Sequence, residues 1–285
     1  MAGGRLIVAV IIGLILGPWI HPGTATAGDV YPIAAFSNLY NENRSTGYLL
    51  GGSADGKWLK PEVAGGVIPG GEKYRLYALT GEVAASQGQK PAKGEEGPCS
   101  DTWYVTLAPF PPNPPSLVAV GGPWNAMPRP VKIGSTQQQV YKEAAAEILT
   151  SRGIVNPKVN LTQVIRVDLD GDGREEVLVS ASHYQTFKPG GALTPNARAG
   201  DYSLVFLRKE VQGKVVTTII TGEFYPLAKE FNAPAEHRII GVLDLNGDGK
   251  LEIVLSGRYY EGDWVIAYRV DGVKTTKLFS MGCGV

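Results

Sequence analysis

The strongest constraint on the fold of this 285-residue chain is an internal repeat in its C-terminal half. Residues 165–180 nearly match residues 241–256. The aspartates that open the central loops of the two copies, Asp168 and Asp244, lie 244 − 168 = 76 positions apart. Repetition of a whole supersecondary unit indicates that the units stack on one another and bury a shared core.

Each copy continues beyond the match in the same way, with strand-like runs on both sides of a short turn. The turn is Gln212-Gly213 in the first copy and Asp271-Gly272 in the second. A glycine-containing pair between two strand-like runs is typical of a β-hairpin. The sequence therefore predicts repeated antiparallel β-hairpin or blade units, at about residues 160–235 and 236–285.

Each copy also carries an acidic loop whose side-chain ligands stand at alternate positions. Calcium is a hard cation that takes about six to eight oxygen ligands. Such side chains converge on one ion only if the backbone curls, and Gly171 and Gly173 permit the positive φ angles that a curl needs. The pattern predicts one Ca²⁺ in each loop. The predicted ligands are Asp168, Asp170, Asp172, the Arg174 carbonyl and Glu176 in the first loop, and Asp244, Asn246, Asp248, the Lys250 carbonyl and Glu252 in the second.

Three other interpretations fit part of the loop pattern. An EF-hand needs a glutamate at position twelve, where this chain has Val179 and Leu255, and the apolar β-branched runs that follow favour a strand over an exiting helix. Tight Asp/Gly turns that bind nothing are a second alternative, although crowded carboxylates repel one another when no cation is present. Another divalent ion held by the same ligands is the third.

The two loops differ in charge, and this difference predicts an order of affinity. The first loop has four carboxylates, whereas the second has three, because Asn246 stands at its third position. The charge of the ligands is one of the factors that tune calcium affinity. With similar geometry, the first loop is expected to bind calcium more tightly.

The loops resemble the calcium loops of FG-GAP or VCBS-type repeats, found in integrin α subunits and many exported bacterial proteins. The resemblance covers about residues 160–285 and implies β-sheet blades with the ion in the loop that leads into a blade strand. The Phe-Gly and Gly-Ala-Pro tripeptides of that family are absent, and Glu stands where the family commonly has Asp. Two repeats form a partial, propeller-like array unless residues 28–108 add diverged blades.

The first 27 residues have the three parts of a secretory signal peptide. Arg5 is followed by an apolar run, Pro18, and small residues at 25–27. The run is shorter than the ~20 residues of a spanning helix, and no later stretch is long enough, so no membrane span is expected after cleavage. The predicted location is secreted, periplasmic or at the cell surface.

The net charge and the two cysteines bear on the class of partner and on disulfide bonding. The formal net charge is zero, and no basic stripe of the kind found in nucleic-acid binders is visible, so no nucleic-acid partner is expected. Disulfides persist outside the cell. Cys99 and Cys283 are the only cysteines, so they are expected to form one bridge, with two free thiols as the alternative.

The rest of the chain divides into three parts. Residues 28–108 predict a β-rich segment, with strands near 47–50, 73–79 and 103–107, a hairpin turn at Asp55-Gly56 and a loop at 86–100. Eight prolines in residues 109–130 predict a linker and domain boundary. Residues 131–285 begin with an amphipathic helix at about 135–152, capped by Ser135 and Gln138 and ended by Gly153. Its predicted apolar stripe consists of Val140, Tyr141, Ala144, Ala145, Ile148 and Leu149.

These observations predict a mostly β, exported, calcium-binding protein with structural calcium. The favoured function is non-enzymatic binding of a surface protein or glycan. The alternative is an exported hydrolase whose site lies in the N-terminal segment. Ser182, His183 and Asp201 can be imagined as a triad, but their spacing gives no support, and no catalytic residue is assigned.

Overall fold

The computed structural model describes residues 29–37, 44–95, 97–185 and 193–285. The predicted signal peptide, residues 1–27, lies outside the described residues. Strand accounts for 51% of the structure and helix for 9%, so the prediction of a mostly β fold is confirmed. In the described part of the chain, the strands form three antiparallel sheets and no closed propeller.

The first sheet is formed by residues that precede the repeats. Its strands are β1 (Tyr31–Phe36), β2 (Thr46–Ala54), β3 (Lys57–Leu59), β4 (Lys73–Ala78), β5 (Gly81–Gly88), β6 (Ala92–Lys93), β7 (Trp103–Ala108) and β8 (Leu117–Val120). Their order is β3-β2-β1-β8-β4-β5-β7-β6, and β2 also pairs with β7. The sheet therefore curls back on itself.

Most local predictions for this segment are confirmed. The expected strands fall within β2, β4 and β7, and Asp55 and Gly56 turn the β2–β3 hairpin with φ angles of +50° and +69°. The loop predicted at 86–100 is wrong in part. Strand β5 runs on to Gly88 and β6 follows, because the backbone of β7 offers both of them hydrogen-bond partners.

The proline-rich segment 109–130, predicted as a linker, contributes a central strand of the first sheet. Strand β8 begins at Leu117 and pairs with β1 on one side and β4 on the other. All four of its residues are buried. Proline cannot donate to a strand ladder, so residues 109–115 stay outside the sheet, but the apolar residues that follow them are free to enter it.

The two repeats form the other two sheets. The second sheet contains β9 (Lys132–Ile133), β10 (Leu161–Val167), β11 (Glu176–His183), β12 (Asp201–Val211) and β13 (Lys214–Tyr225); the third contains β14 (Glu236–Leu243), β15 (Glu252–Tyr259), β16 (Gly262–Asp271) and β17 (Lys274–Gly284). Each repeat is a four-strand antiparallel meander, and β9 adds an edge to the first. The predicted turns at 212–213 and 271–272 join the last two strands of each meander.

The clearest predicted helix is present but starts later than expected. Helix α2 spans Gln139–Ser151, and no side chain caps its first turn. The hydroxyl of Ser135 instead accepts a hydrogen bond from the Gln137 amide, 3.1 Å away. Ser135 therefore closes a local turn before the helix, and the capping-box prediction is wrong.

The end of α2 follows the prediction. Gly153 has a φ of +87°, and the Ile154 amide donates to the Leu149 carbonyl at 3.0 Å, the pattern of a Schellman motif. The predicted stripe is buried except for Val140, which is 48% exposed. Val140 lies in the first turn of the helix and is not part of the core that the other stripe residues share with the second sheet.

A second helix, α1 (Pro61–Val67), was not predicted. It contains two glycines, which disfavour a helix on propensity alone. Gly65 is needed there because a Cβ atom at this position would lie 2.3 Å from the Trp103 ring. Tertiary packing against β2 and β7 therefore overrides local preference.

Helix α2 and the three sheets form four layers, and a hydrophobic core lies between each layer and the next. The helix packs on the second sheet, the other face of that sheet packs on the third, and the other face of the third packs on the first. The core between the helix and the second sheet includes Leu149 and Phe206. The core between the second and third sheets includes Leu207 and Ile253, and the core between the third and first sheets includes Val254 and Val118. Each repeat buries both of its faces, as expected of stacked units.

A disulfide joins the first and third sheets at their edges. Cys99 and Cys283 are bridged with their Cα atoms 5.1 Å apart, so the expected pairing is confirmed. The Thr102 hydroxyl donates to the Gly282 carbonyl at 2.7 Å beside it. The last strand is thereby held against the first sheet by covalent and polar contacts.

The packing of α2 predicts a contrast between two apolar positions on the same helix. Leu149→Ala should lower the free energy of unfolding by about 2–5 kcal/mol, because it leaves a cavity between the helix and the second sheet. Val140→Ala should change it by no more than about 0.5 kcal/mol, because that side chain is half exposed. Urea unfolding measures both, and equal losses would contradict the assigned packing.

Candidate metal centre

The two acidic loops lie side by side at one end of the stacked repeats. The first joins β10 to β11 and the second joins β14 to β15. The Leu251 amide donates to the Leu169 carbonyl at 2.8 Å, so the loops are linked directly through their backbones.

Both loops are folded around their first aspartate. Asp168 accepts hydrogen bonds from the amides of Gly171 and Gly173 at 2.7 and 3.0 Å. Asp244 accepts the equivalent pair, from the amides of the two glycines that flank Asp248, at 2.6 and 2.9 Å. All four glycines have φ angles between +80° and +86°, a region that favours glycine. The glycine spacing therefore sets the curl, as predicted.

The ninth residue of each loop is a buried glutamate at the start of a central strand. One oxygen of Glu176 accepts from the Leu169 amide at 2.8 Å. One oxygen of Glu252 accepts from the Leu245 amide at 2.9 Å. These bonds turn the second oxygen, Oε1, of each glutamate toward the loop interior. A strand follows in both copies, which excludes the exiting helix of an EF-hand.

In the first loop, a lysine from the neighbouring strand reaches the predicted metal position. Lys209 Nζ lies 2.6 Å from Asp170 Oδ2 and 2.8 Å from Glu176 Oε1, and its side chain is only 9% exposed. Burial by itself raises the pKa of Asp170, but the hydrogen bond and charge of Lys209 outweigh it, so that pKa lies below its usual value. Burial by itself lowers the pKa of Lys209, but its two carboxylate partners outweigh burial, so that pKa lies above its usual value.

In the second loop, no cationic side chain of the described residues bonds to the equivalent glutamate oxygen, although the charge of Arg269 favours the ionised form of Glu252. Among the described residues, Glu252 Oε1 is buried and has no hydrogen-bond partner. Arg269 occupies the position in β16 that corresponds to Lys209, but it pairs with Asp271 at 2.8 Å. Burial, with the nearby charges of Asp248 and Asp244, raises the pKa of Glu252 to about 8. Burial also raises the pKa of Asp244.

The structure brings together some of the predicted ligands and turns others back on the loop. Oxygen atoms of Asp168, Asp170 and Glu176 lie within 4.8 Å of one another. Asp172 accepts a hydrogen bond from the Arg174 amide at 2.8 Å. In the second loop, Asp248 accepts from the Lys250 amide at 2.8 Å and Asn246 Nδ2 donates to Asp248 Oδ2 at 3.2 Å. The ligand roles of all the predicted residues, including the two carbonyls, stay predictions.

Three residues around the loops were missed in the sequence. Arg129 donates to the carbonyls of Asp168, Leu169 and Gly249 at 2.5, 3.1 and 2.8 Å, so one guanidinium joins both loops. The Trp124 indole donates to the Asp244 carbonyl at 2.8 Å. The third residue is Lys209, which had one available signal. It continues the inward-facing alternation of Val205 and Leu207 in β12, where a charge needs a buried partner.

The imagined triad is not assembled. Both carboxylate oxygens of Asp201 accept backbone amides of neighbouring loop residues, at 2.9 and 2.8 Å. The Ser182 hydroxyl donates to Glu236 at 3.4 Å. Burial lowers the pKa of His183. Asp201 and Ser182 are therefore engaged in contacts outside the imagined triad.

The opposite end of the repeats forms a cleft of about 1080 Å³ between the second and third sheets. Its walls include Asn160, Ser182 and His183 from the first repeat. Glu236 and Arg258 come from the second and are paired at 2.7 Å. The cleft therefore offers polar groups and both charges, beside apolar residues.

Comparison with protein-family models, curated proteins and solved structures finds no match to this chain. Neither of the two helices in the described residues is long and apolar enough to cross a membrane.

The raised pKa of Glu252 predicts a pH dependence of stability in the calcium-free protein. The unfolded chain releases this proton near pH 4.5, whereas the folded chain holds it to about pH 8. Unfolding is therefore increasingly favoured as pH rises through this window. The melting temperature should fall between these values, and the fall should be smaller in Glu252→Gln, which cannot ionise. Parallel pH profiles for the two proteins would contradict the assignment.

The contacts of Arg129 predict that it stabilises both loops. Arg129→Met removes three hydrogen bonds to loop carbonyls, two of them partly buried, and should lower the free energy of unfolding by about 1–3 kcal/mol. Arg166→Met is the matched control, because Arg166 is half exposed and pairs only at the surface with Glu175. Urea unfolding in calcium-free buffer measures both. A loss no greater than that of the control would show that Arg129 does not join the loops energetically.

Proposed function

We propose that this protein is an exported, calcium-stabilised β-repeat module that binds a surface protein or glycan without catalysing a reaction. Calcium occupies the second loop, through Asp244, Asn246, Asp248, the Lys250 carbonyl and Glu252. The observation that carries the proposal is Glu252 Oε1, a buried carboxylate oxygen with no partner among the described residues.

A cation in this loop would offset the cost of burying its carboxylates. Removing a carboxylate from water costs several kcal/mol unless an opposite charge compensates it. Asp244 is 3% exposed and Glu252 is fully buried. A bound cation would favour the ionised form of both residues.

The donor set identifies the class of cation. Every candidate ligand is an oxygen, from carboxylate, amide or peptide groups, which suits hard cations and not zinc or copper. Magnesium demands near-ideal octahedral geometry and keeps several of its waters, whereas calcium accepts flexible, all-protein oxygen shells. A glycine-rich loop of mixed oxygen donors therefore favours calcium.

The position of the loops favours a structural role for the ion. The cleft lies toward the other end of the same strands. Its lining in β14 reaches Ile240, and Asp244 follows four residues later, about 13 Å away at ~3.3 Å per residue. Calcium at the loops is therefore too far away to contact a ligand in the cleft. It would act by holding β14 and β15 in register where the second and third sheets meet.

The resemblance to FG-GAP or VCBS-type repeats supports the same proposal. The loop pattern occurs twice, and each copy leads into a strand of an antiparallel meander. Export is supported by the signal-like residues 1–27 and by the Cys99–Cys283 bridge. The family assignment and the location are both part of the proposal.

The side chains that line the cleft favour a binding function over hydrolysis. Hydrolase sites of the nucleophilic type need a nucleophile within reach of an oriented base. Residues 29–108 contain no histidine, and Ser182 and Asp201 are engaged elsewhere. The large cleft instead presents amide, hydroxyl, imidazole and guanidinium groups, which can hydrogen bond to a polar partner.

The proposal predicts that calcium raises the melting temperature. Calcium binds the folded loop and not the unfolded chain, so it should stabilise by about 2.7 kcal/mol at about 100 times its dissociation constant. Differential scanning calorimetry in excess calcium and in excess EGTA measures the shift, with magnesium as the ionic control.

Two variants sharpen the same experiment. Glu252→Gln should abolish the calcium shift, because it removes one charge from the site. Glu175→Gln, the same change at a partly buried acid beside the first loop, should retain it. Identical melting temperatures of the unmodified protein in calcium and in EGTA would falsify the proposal.

A further inference from the structure

We propose that Lys209 is the resident cation of the first loop, so that the chain binds one calcium ion, in the second loop only. The assignment of the first loop rests on the contacts of Lys209. The statement that the second loop is filled rests on the proposed function.

The ammonium group lies where the resemblance and the ligand pattern would place an ion. Lys209 Nζ contacts the third and ninth loop positions, Asp170 and Glu176, at 2.6 and 2.8 Å. Calcium–oxygen distances are about 2.3–2.6 Å, so a calcium ion bound to the same two oxygens would overlap the ammonium. Two cations cannot share that position, because their repulsion in a buried site is strong.

The two repeats provide an internal comparison. The bonds that shape the loops agree within 0.1 Å: 2.7 and 2.6 Å for the first glycine amide, 3.0 and 2.9 Å for the second, and 2.8 and 2.9 Å for the glutamate. The described difference at the ninth position is the partner of Oε1. Glu176 Oε1 has Lys209, whereas Glu252 Oε1 has none.

A second sequence difference explains why the equivalent arginine does not bond to the carboxylates of the second loop. Arg269 corresponds to Lys209, and two residues later Asp271 corresponds to Val211. Residues two apart in a strand lie on the same face, and Arg269 pairs with Asp271. In the first repeat, Val211 offers no charge, so Lys209 turns to the loop carboxylates instead.

Lys209 reverses the order of calcium affinity expected from ligand charge alone. Two of the four carboxylates in the first loop already contact the positive charge of Lys209. The second loop has one carboxylate fewer and no ammonium. The loop with fewer acids is therefore the one that needs a metal.

The test is a calorimetric titration with Ca²⁺ that counts bound ions. The unmodified protein should bind one, and Lys209→Met should bind two, because it leaves Asp170 and Glu176 without a cation. Arg269→Met is the matched control in the other repeat and should still bind one. The melting temperature of Lys209→Met should fall in EGTA and recover in calcium, which separates metal binding from loss of folding.

Glu252→Gln gives a second arm that keeps Lys209 in place. It should bind no calcium, whereas Lys209→Met combined with Glu252→Gln should bind one. Two ions bound by the unmodified protein, or one ion bound by Glu252→Gln alone, would overturn the inference. So would a folded Lys209→Met that gains no ion. If the unmodified protein binds none and Lys209→Met binds one, the role of Lys209 stands and the proposed function fails.

Discussion

A buried glutamate begins the second strand of each repeat, and the geometry of the loop end depends on how its charge is compensated. One oxygen closes the loop through a backbone amide, which fixes the other toward the loop interior. A fixed, buried carboxylate oxygen needs a positive charge. Lys209 supplies it in one copy by reaching across from β12. The proposed calcium supplies it in the other, so one loop shape is served by two kinds of cation.

The stacked sheets give these loops their surroundings. The second and third sheets share a core, which brings the two loop ends together and lets the Leu169 carbonyl accept from Leu251. The segment that follows β8 then passes along the same edge, where Trp124 contacts the second loop and Arg129 contacts both. Changes in one loop are therefore felt by the other through shared backbone contacts and a single guanidinium.

Sequence reasoning succeeded where the determinants are local. The repeat, the glycine-defined curl of the loops and the hairpin turns all depend on residues a few positions apart. The position of Gly153 likewise predicted the end of α2. The start of α2 was wrong because Ser135 could make a local turn as easily as a helix cap.

The features that were missed depend on distant partners. Strand β8 enters the sheet because β1 and β4 leave a place between them, and α1 forms because Gly65 fits against Trp103. Lys209 lies more than thirty positions from the acids it neutralises. Counting the acids in each loop could not reveal this ammonium, because it comes from a different strand.

The bridge between Cys99 and Cys283 has a consequence for the covalent structure of the chain. It turns the intervening residues, with a sequence separation of 184, into a macrocycle that contains both repeats and α2. One cut of the backbone anywhere within that macrocycle opens the ring but leaves a single covalent molecule. Outside a cell, where proteases are common, both repeats would then stay attached to the first sheet after a first cleavage.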